Sequence, residues 1–374
     1  MDFALPGDDH PARAAFRTWL AEHPSPSAKE VAEAGYVAPH WPRPWGLDAD
    51  PISQLVIDEE MKRAGIRRPI NPIGIGWAGP TLMHAGTEEQ QSAYLPGILS
   101  GEDIWCQLFS EPGAGSDLAS LTTRAVRDGD EWVVNGQKVW TSGAHLSDIG
   151  EIICRTDPDV PKHKGLTGFV VDMHAPGVEV RPLRQMTGGA AFNEVFFTDV
   201  RIPDSHRLGD VNAGWGVALT TLMNERAAIG GGAGGVALGG MGTHRLIQLV
   251  QHYGKSKDPL VRQKLVDVLI NYRVSSYNTL RAMAKINAGQ LPGPELSIAK
   301  LSLTQNLMRV SELVSSVLGP KLVADSGEWG TYAWGEFLLS VPGMRVAGGT
   351  DEIMRNIVGE RVLGLPKEPS PGKA

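Results

Sequence analysis

Apolar residues recur with different periods in three successive zones of the chain. From about residue 10 to 105 they return at helical spacing between Pro/Gly turns. Pro51–Ala64 is one such stretch, with Ile52, Leu55 and Val56 at helical spacing. Thr87 predicts a helix N-cap, because Glu88 and Glu89 follow it at once and acids favour a helix N-terminus. From about 106 to 210 the texture is that of strands. Glu131-Trp-Val-Val-Asn135 reads as a short strand ended by the turn signal Asn135-Gly136. Gly150–Arg155, Gly168–Asp172 and Asn193–Asp199 read as further strands, which predicts a compact β insert, a barrel or sandwich. From about 214 to 365 helical spacing returns in longer runs. Gly214-Trp215 opens one, and Pro259–Gly289 places Val261, Leu265, Val268, Leu269 and Tyr272 on one face. Pro294–Leu318 is a third, so an antiparallel bundle is expected. The end, Pro366–Ala374, is Pro/Lys-rich and expected to be loose.

Composition narrows this picture. A chain of 374 residues with 42% hydrophobic content can bury a large core in two or three structural units. A net charge of -7 without a Lys/Arg block argues against a nucleic-acid partner. Cys106 and Cys154 form no CxxC pair or Cys/His cluster, so neither a disulfide framework nor a zinc site is expected. His84, His145 and His244 lack partners at ligand spacing, and no metal is expected. The opening MDFALPGDDHPARAAF carries early acids and no apolar run. No targeting segment or membrane span is therefore expected, and the location is expected to be cytoplasmic. Glu59-Glu60 and Glu88-Glu89 read as solvated helix faces.

Candidate chemistry begins at Phe109-Ser-Glu-Pro-Gly-Ala-Gly-Ser-Asp117. Gly113 and Gly115 permit backbone conformations that other residues resist, so successive amides can form an anion-binding nest with Ser110 and Ser116 as added donors. A lone GxG is more often an ordinary turn; the nine-residue string is more specific.

That string resembles the signature of the acyl-CoA dehydrogenase family. The resemblance continues through Asn135-Gly-Gln-Lys-Val-Trp-Thr-Ser142, Val200-Arg-Ile-Pro203, Gly214-Trp215 and Gly348-Gly-Thr-Asp-Glu-Ile-Met-Arg-Asn356, in the family's order and approximate spacing. The resemblance is to actinobacterial FadE-like members. It implies an α+β fold: an N-terminal helical bundle over 1–105, a middle antiparallel β-domain over 106–213, a C-terminal four-helix-type bundle over 214–365 and a loose tail over 366–374. It also implies FAD, an acyl-CoA substrate, an electron-transfer flavoprotein as oxidant, and a homotetramer or a heteromer with a related subunit. Gln107, Phe109, Ser110, Gly115, Ser116, Trp140, Thr141, Ser142, Gln263, Thr350 and Glu352 are the FAD-contacting positions it implies. Ser116, Asn224, Arg226 and Gly349 are those for substrate. Without the motif, Trp140 would read as a sheet-packing aromatic.

The family reaction removes the α-proton of a thioester while hydride leaves the β-carbon for the flavin. A carboxylate with a raised pKa is the natural base. Many members carry it in a Tyr-Glu-Gly-Thr string; here that string is Ala347-Gly348-Gly349-Thr350. The isovaleryl-CoA and long-chain branches hold the base on a C-terminal-domain helix just before an Arg. Leu222-Met-Asn-Glu-Arg226 puts Glu225 in that place, with Arg226 orienting it. The resemblance leaves Gly348 a backbone amide that donates to the thioester carbonyl, as in an oxyanion hole. For an arbitrary helix, Glu225 and Arg226 would be a solvated pair.

Three departures stand out. In Leu249-Val-Gln-His-Tyr-Gly-Lys255 neither Val250 nor Gln251 is the Arg that reaches a neighbour's FAD diphosphate in the family, leaving Tyr253, Lys255 and Gln263. Pro320 stands where the family has the second Gly of Leu318-Gly319-Pro320. The run from Gly230 through Gly235 to Gly242 serves either close helix packing or room for a bulky acyl group. The departures leave open a non-catalytic or FAD-sharing subunit of a heteromer, of the kind found in actinobacterial sterol side-chain breakdown. An oxidase using oxygen directly is a third alternative.

Overall fold

The computed structural model describes residues 6–230, 242–287 and 296–367. Five helices come first: α1 (Pro11–Glu22), α2 (Ala28–Glu33), α3 (Pro51–Arg63), α4 (Gly79–Ala85) and α5 (Glu88–Ser100). Thr87 caps α5 as its sequence predicts, in a reciprocal capping box with Gln90, and Glu88 and Glu89 are exposed. The helix α3 forms as its spacing predicts, but Glu60, expected to be solvated, is buried. Val56, Ile57, Glu60 and Met61 are buried, whereas Ile52 and Leu55 are each 42% exposed.

The reason is an ion cluster. Glu60 is not a solvated charge; it is buried and paired with Arg13, itself buried on α1, and with Arg17 and Arg63. Hydrogen bonding from Arg17, reinforced by Arg13, outweighs burial and holds the Glu60 carboxyl at about 2, against an ordinary 4.5. A depressed folded-state pKa stabilises fully above the unfolded value and stops doing so as pH falls through the folded one. The urea midpoint of the wild type should therefore exceed that of Glu60→Gln at neutral pH. The gap should close between about pH 4.5 and pH 2. A gap independent of pH would refute this origin.

Eight strands follow: β1 (Trp105–Leu108), β2 (Arg124–Asp128), β3 (Glu131–Ser142), β4 (Ile149–Arg155), β5 (Leu166–Asp172), β6 (Val178–Leu183), β7 (Phe192–Pro203) and β8 (Arg207–Leu208). They form one sheet in the order β6-β7-β3-β2-β4-β5-β8, with β1 beside β4. Pairing is mostly antiparallel; β1–β4, and β2–β4 at one residue, are parallel. Asn135-Gly136 does not end a strand. It is a bulge inside β3, where the Asn135 amide and Asp199 exchange hydrogen bonds across to β7. Cys106 and Cys154 are free, buried thiols that burial pushes up to about 12.

Helices then return: α6 (Gly214–Gly230), α7 (Thr243–His252), α8 (Pro259–Asn287), α9 (Leu296–Leu318), α10 (Thr331–Met344) and α11 (Asp351–Ile357). Gly214 opens α6 because nothing larger fits. An added Cβ would lie 2.6 Å from the Thr167 Cα on β5. Val261 and Val268 are buried with Leu307, Val310, Leu313 and Trp334 in one core, as the spacing in α8 predicts. The positions Gly231–Gly240, and Gly289 and Pro294 at the predicted ends of two helices, lie outside the described residues, as does the tail from 368. By contacts the chain divides into two compact units. The first runs through Arg184 and resumes over Ala190–Asn224; the second holds Gln185–Gly189 and the chain from Glu225 onward. No described helix is long and apolar enough to cross a membrane.

Candidate active site

In the first unit, the loop after β1 is closed by reciprocal backbone bonds between Glu111 and Ala114 at 2.9 and 3.0 Å. A buried ion pair fastens it to the sheet. Lys138, on β3 and fully buried, donates from Nζ to Glu111 Oε1 at 2.9 Å, to the Phe109 carbonyl at 3.1 Å and to the Ile153 carbonyl at 2.8 Å. Glu111 also accepts from the Thr122 and Thr123 amides and the Thr122 hydroxyl. Burial alone would raise the Glu111 pKa, but Lys138 and these donors hold it down at about 2. The Val139 amide donates to the Ser110 carbonyl, completing the seam between loop and strand.

Gly113 and Gly115 play a different part from the one expected. Neither has a positive φ, and a Cβ on either would meet nothing within 4 Å. They contribute open ground beside the loop. Phe109 is buried, Gln107 and Ser110 are half-buried, and Gly115 and Ser116 are exposed. On β3, Trp140 adopts φ 61 and stands 62% exposed at the bulge between Lys138 and Thr141, with Phe192 edge-on to it. Such an outlier in a non-glycine residue persists only where its surroundings impose it, and commonly marks a functional site. Ser142 is exposed. Thr141 is buried, its hydroxyl without a partner and its carbonyl accepting from Asn193 Nδ2. An exposed indole, open backbone at Gly113 and Gly115, and the hydroxyls of Ser110, Ser116 and Ser142 are groups suited to a planar aromatic group with polar edges, such as a flavin.

Helix α6 is anchored within this unit from below. Thr221 donates to Glu151 Oε1 at 2.6 Å and lies 2.9 Å from the Thr81 hydroxyl, all three buried. Asn224 is half-buried and donates to the Thr220 carbonyl.

The second unit begins at Glu225. Glu225 and Arg226 are half-buried, and Arg226 Nε is a buried donor with no protein partner. Burial lowers the Arg226 pKa, Glu225 opposes that, and Arg361 reinforces it. Gly348 and Gly349 take φ 67 and 95 in the turn before α11. The Thr350 hydroxyl caps that helix by accepting from the Ile353 amide, and Glu352 is exposed. Gln263 lies exposed on α8. Val250 is part of the helical core, so of the two departures on α7 only Gln251 faces outward. Among the described residues no cluster of metal ligands occurs.

Sequence reasoning assigned no role to Lys138, Glu111, Lys300 or Asp351. For Lys138 the signal was available: alternation from the buried Trp132 and Val134 puts it on the inward face of β3.

The chain belongs to the acyl-CoA dehydrogenase family. Residues 10–102, 106–200 and 212–363 match that family's N-terminal, middle and C-terminal domains. It is thus an oxidoreductase of a family that uses FAD. Acyl-CoA dehydrogenase IpdE1 of Mycobacterium tuberculosis is 36% identical over 97% of this chain and 91% of its own length. Acyl-CoA dehydrogenase FadE34 of the same organism is 43% identical over 90% of this chain, which spans 46% of FadE34. Among solved structures, the Tcur3481-Tcur3483 steroid ACAD superposes with a TM-score of 0.81 at 29% identity, covering 98% of this chain and all of that one. The ChsE4-ChsE5 complex from Mycobacterium tuberculosis gives 0.78 at 27% identity, covering 98% of this chain and all of that one.

Proposed function

We propose that this protein converts an acyl-CoA to its 2-enoyl-CoA, with Glu225 removing the α-proton. The observation that carries the assignment is the turn at Gly348–Gly349, which offers backbone amides and no carboxylate where many members hold the base. A base must then come from elsewhere. Glu225, half-buried beside an arginine with an unsatisfied buried donor, suits that role because a positioned carboxylate is the natural acceptor of an α-proton. FAD, when bound, accepts the β-hydride. In the first unit Gln107, Phe109, Ser110, Gly115, Ser116, Trp140, Thr141 and Ser142 would hold it; the second unit offers Gln263, Thr350 and Glu352 as further FAD-contacting residues. For the thioester the first unit offers Ser116 and Asn224, and the second offers Arg226 and Gly349, with the Gly348 amide as donor to its carbonyl. The electron acceptor we infer is an electron-transfer flavoprotein.

The substrate we infer carries a bulky or long acyl group, in keeping with the steroid ACAD among the similar structures. Anaerobic titration of the purified protein with acyl-CoAs, from butyryl-CoA to a steroid side-chain thioester, should bleach the flavin fastest with a large acyl group. Reduction by butyryl-CoA alone would exclude this. A second reading, an FAD-sharing subunit of a heteromer, draws on Gln251, on Pro320 and on the ChsE4-ChsE5 complex. Folded protein that purifies alone without FAD would select it over a homotetramer.

A further inference from the structure

The turn from Arg345 to Asp351 contains two glycines in the left-handed region, and glycine itself offers no side chain to limit their torsions. Beneath the turn lies a buried ionic cluster. The Lys300 side chain, on α9, is 1% exposed. Its Nζ donates to the Gly349 carbonyl at 2.6 Å and to the Arg345 carbonyl at 3.2 Å, and lies 3.6 Å from Asp351 Oδ1. Asp351, also buried, accepts from Thr304 Oγ1 at 2.7 Å and from Arg345 Nε at 2.8 Å. Its own amide donates back to the Arg345 carbonyl at 3.1 Å, closing the turn. The ammonium therefore pins a peptide on each side of Gly348.

We propose that Lys300 is a positioning residue for the thioester, fixing the Gly348 and Gly349 backbone so that its amides meet the substrate carbonyl already aligned. This rests on the dehydrogenase reading above. Burying a lysine and an aspartate costs solvation that well-packed apolar residues would not, so the cluster is a poor device for stability alone. It is a good device for orientation: one ammonium donates to two carbonyls and faces a carboxylate 3.6 Å away, all from one helix. Donors aimed at developing oxyanion charge act through prior alignment, and a small misplacement costs about 100-fold in rate.

The test uses the FAD-loaded protein and the acyl-CoA that reduces it fastest. Lys300→Met should retain FAD and lower the rate of flavin reduction about 100-fold, with KM changed by no more than about 3-fold. The infrared carbonyl stretch of the bound, non-oxidisable 3-thia analogue should move back toward its value in water, a readout that mere loss of stability does not shift. Thr304→Val, which leaves the ammonium in place but removes one bond to Asp351, should move both readouts the same way by a smaller amount. It decides the matter alone if Lys300→Met does not fold. Wild-type rate and carbonyl frequency in the folded variants, even with a lowered melting temperature, would overturn the proposal while leaving the dehydrogenase reading intact. A wild type that holds FAD yet is reduced by no acyl-CoA would overturn both.

Discussion

Glu225→Gln is expected to leave FAD bound and the fold unchanged, and to slow flavin reduction by acyl-CoA about 100- to 10,000-fold. The substitution keeps the shape and polarity of the side chain and removes only its capacity to take a proton. A general base contributes in that range because the α-carbon acid is far weaker than any side chain that must deprotonate it. Rapid mixing under anaerobic conditions, following loss of the oxidised flavin band, measures the step directly. The same variant should bind the 3-thia analogue nearly as well as wild type, since that ligand needs no proton removed. Reduction at the wild-type rate would remove Glu225 from the mechanism and direct attention to a carboxylate supplied by another subunit.

Lys138→Met should be the most destabilising single substitution in the sheet unit. It leaves Glu111 buried and negative with its strongest partner gone, a situation that costs about 3–5 kcal/mol. The corresponding fall in melting temperature is roughly 10 °C. Replacing both partners, Lys138→Met with Glu111→Leu, should recover part of that loss, because the stranded charge goes with the ammonium. FAD affinity should not recover in the double variant. The Phe109 carbonyl loses the Lys138 ammonium in either case, leaving the Val139–Ser110 backbone bond to hold the loop to β3. Equal stability of the single variant and wild type would show that the Thr122 and Thr123 donors alone suffice for Glu111.

The three zones were legible because helix and strand periods differ, and the α5 cap because its chemistry is local. What escaped the sequence was set by distant partners. Asn135-Gly136 has the composition of a turn, but its bonds run to Asp199, 64 positions away, and that pairing carries β3 on through a bulge instead of ending it. Glu60 reads as a solvated charge but is buried, because it finds Arg13 and Arg17 on another helix. Lys300 and Asp351 look like ordinary surface charges on their helices; only the return of the chain at 345–351 brings them together. The loop at 109–117 was recognisable as a string. Its glycines turned out to matter for the space around them more than for backbone freedom.

The two irregularities in β3, at Val134/Gly136 and Lys138/Thr141, bear on how this sequence can drift. Between them the strand is held against β7 in continuous register at Gly136, Gln137 and Lys138. One residue inserted there would reverse every later side chain, turning Lys138 to water and Trp140 into the sheet. Gains and losses of length in descendants of this chain must therefore fall elsewhere, in turns such as the one between β4 and β5, and this stretch can change in residue type without changing in number.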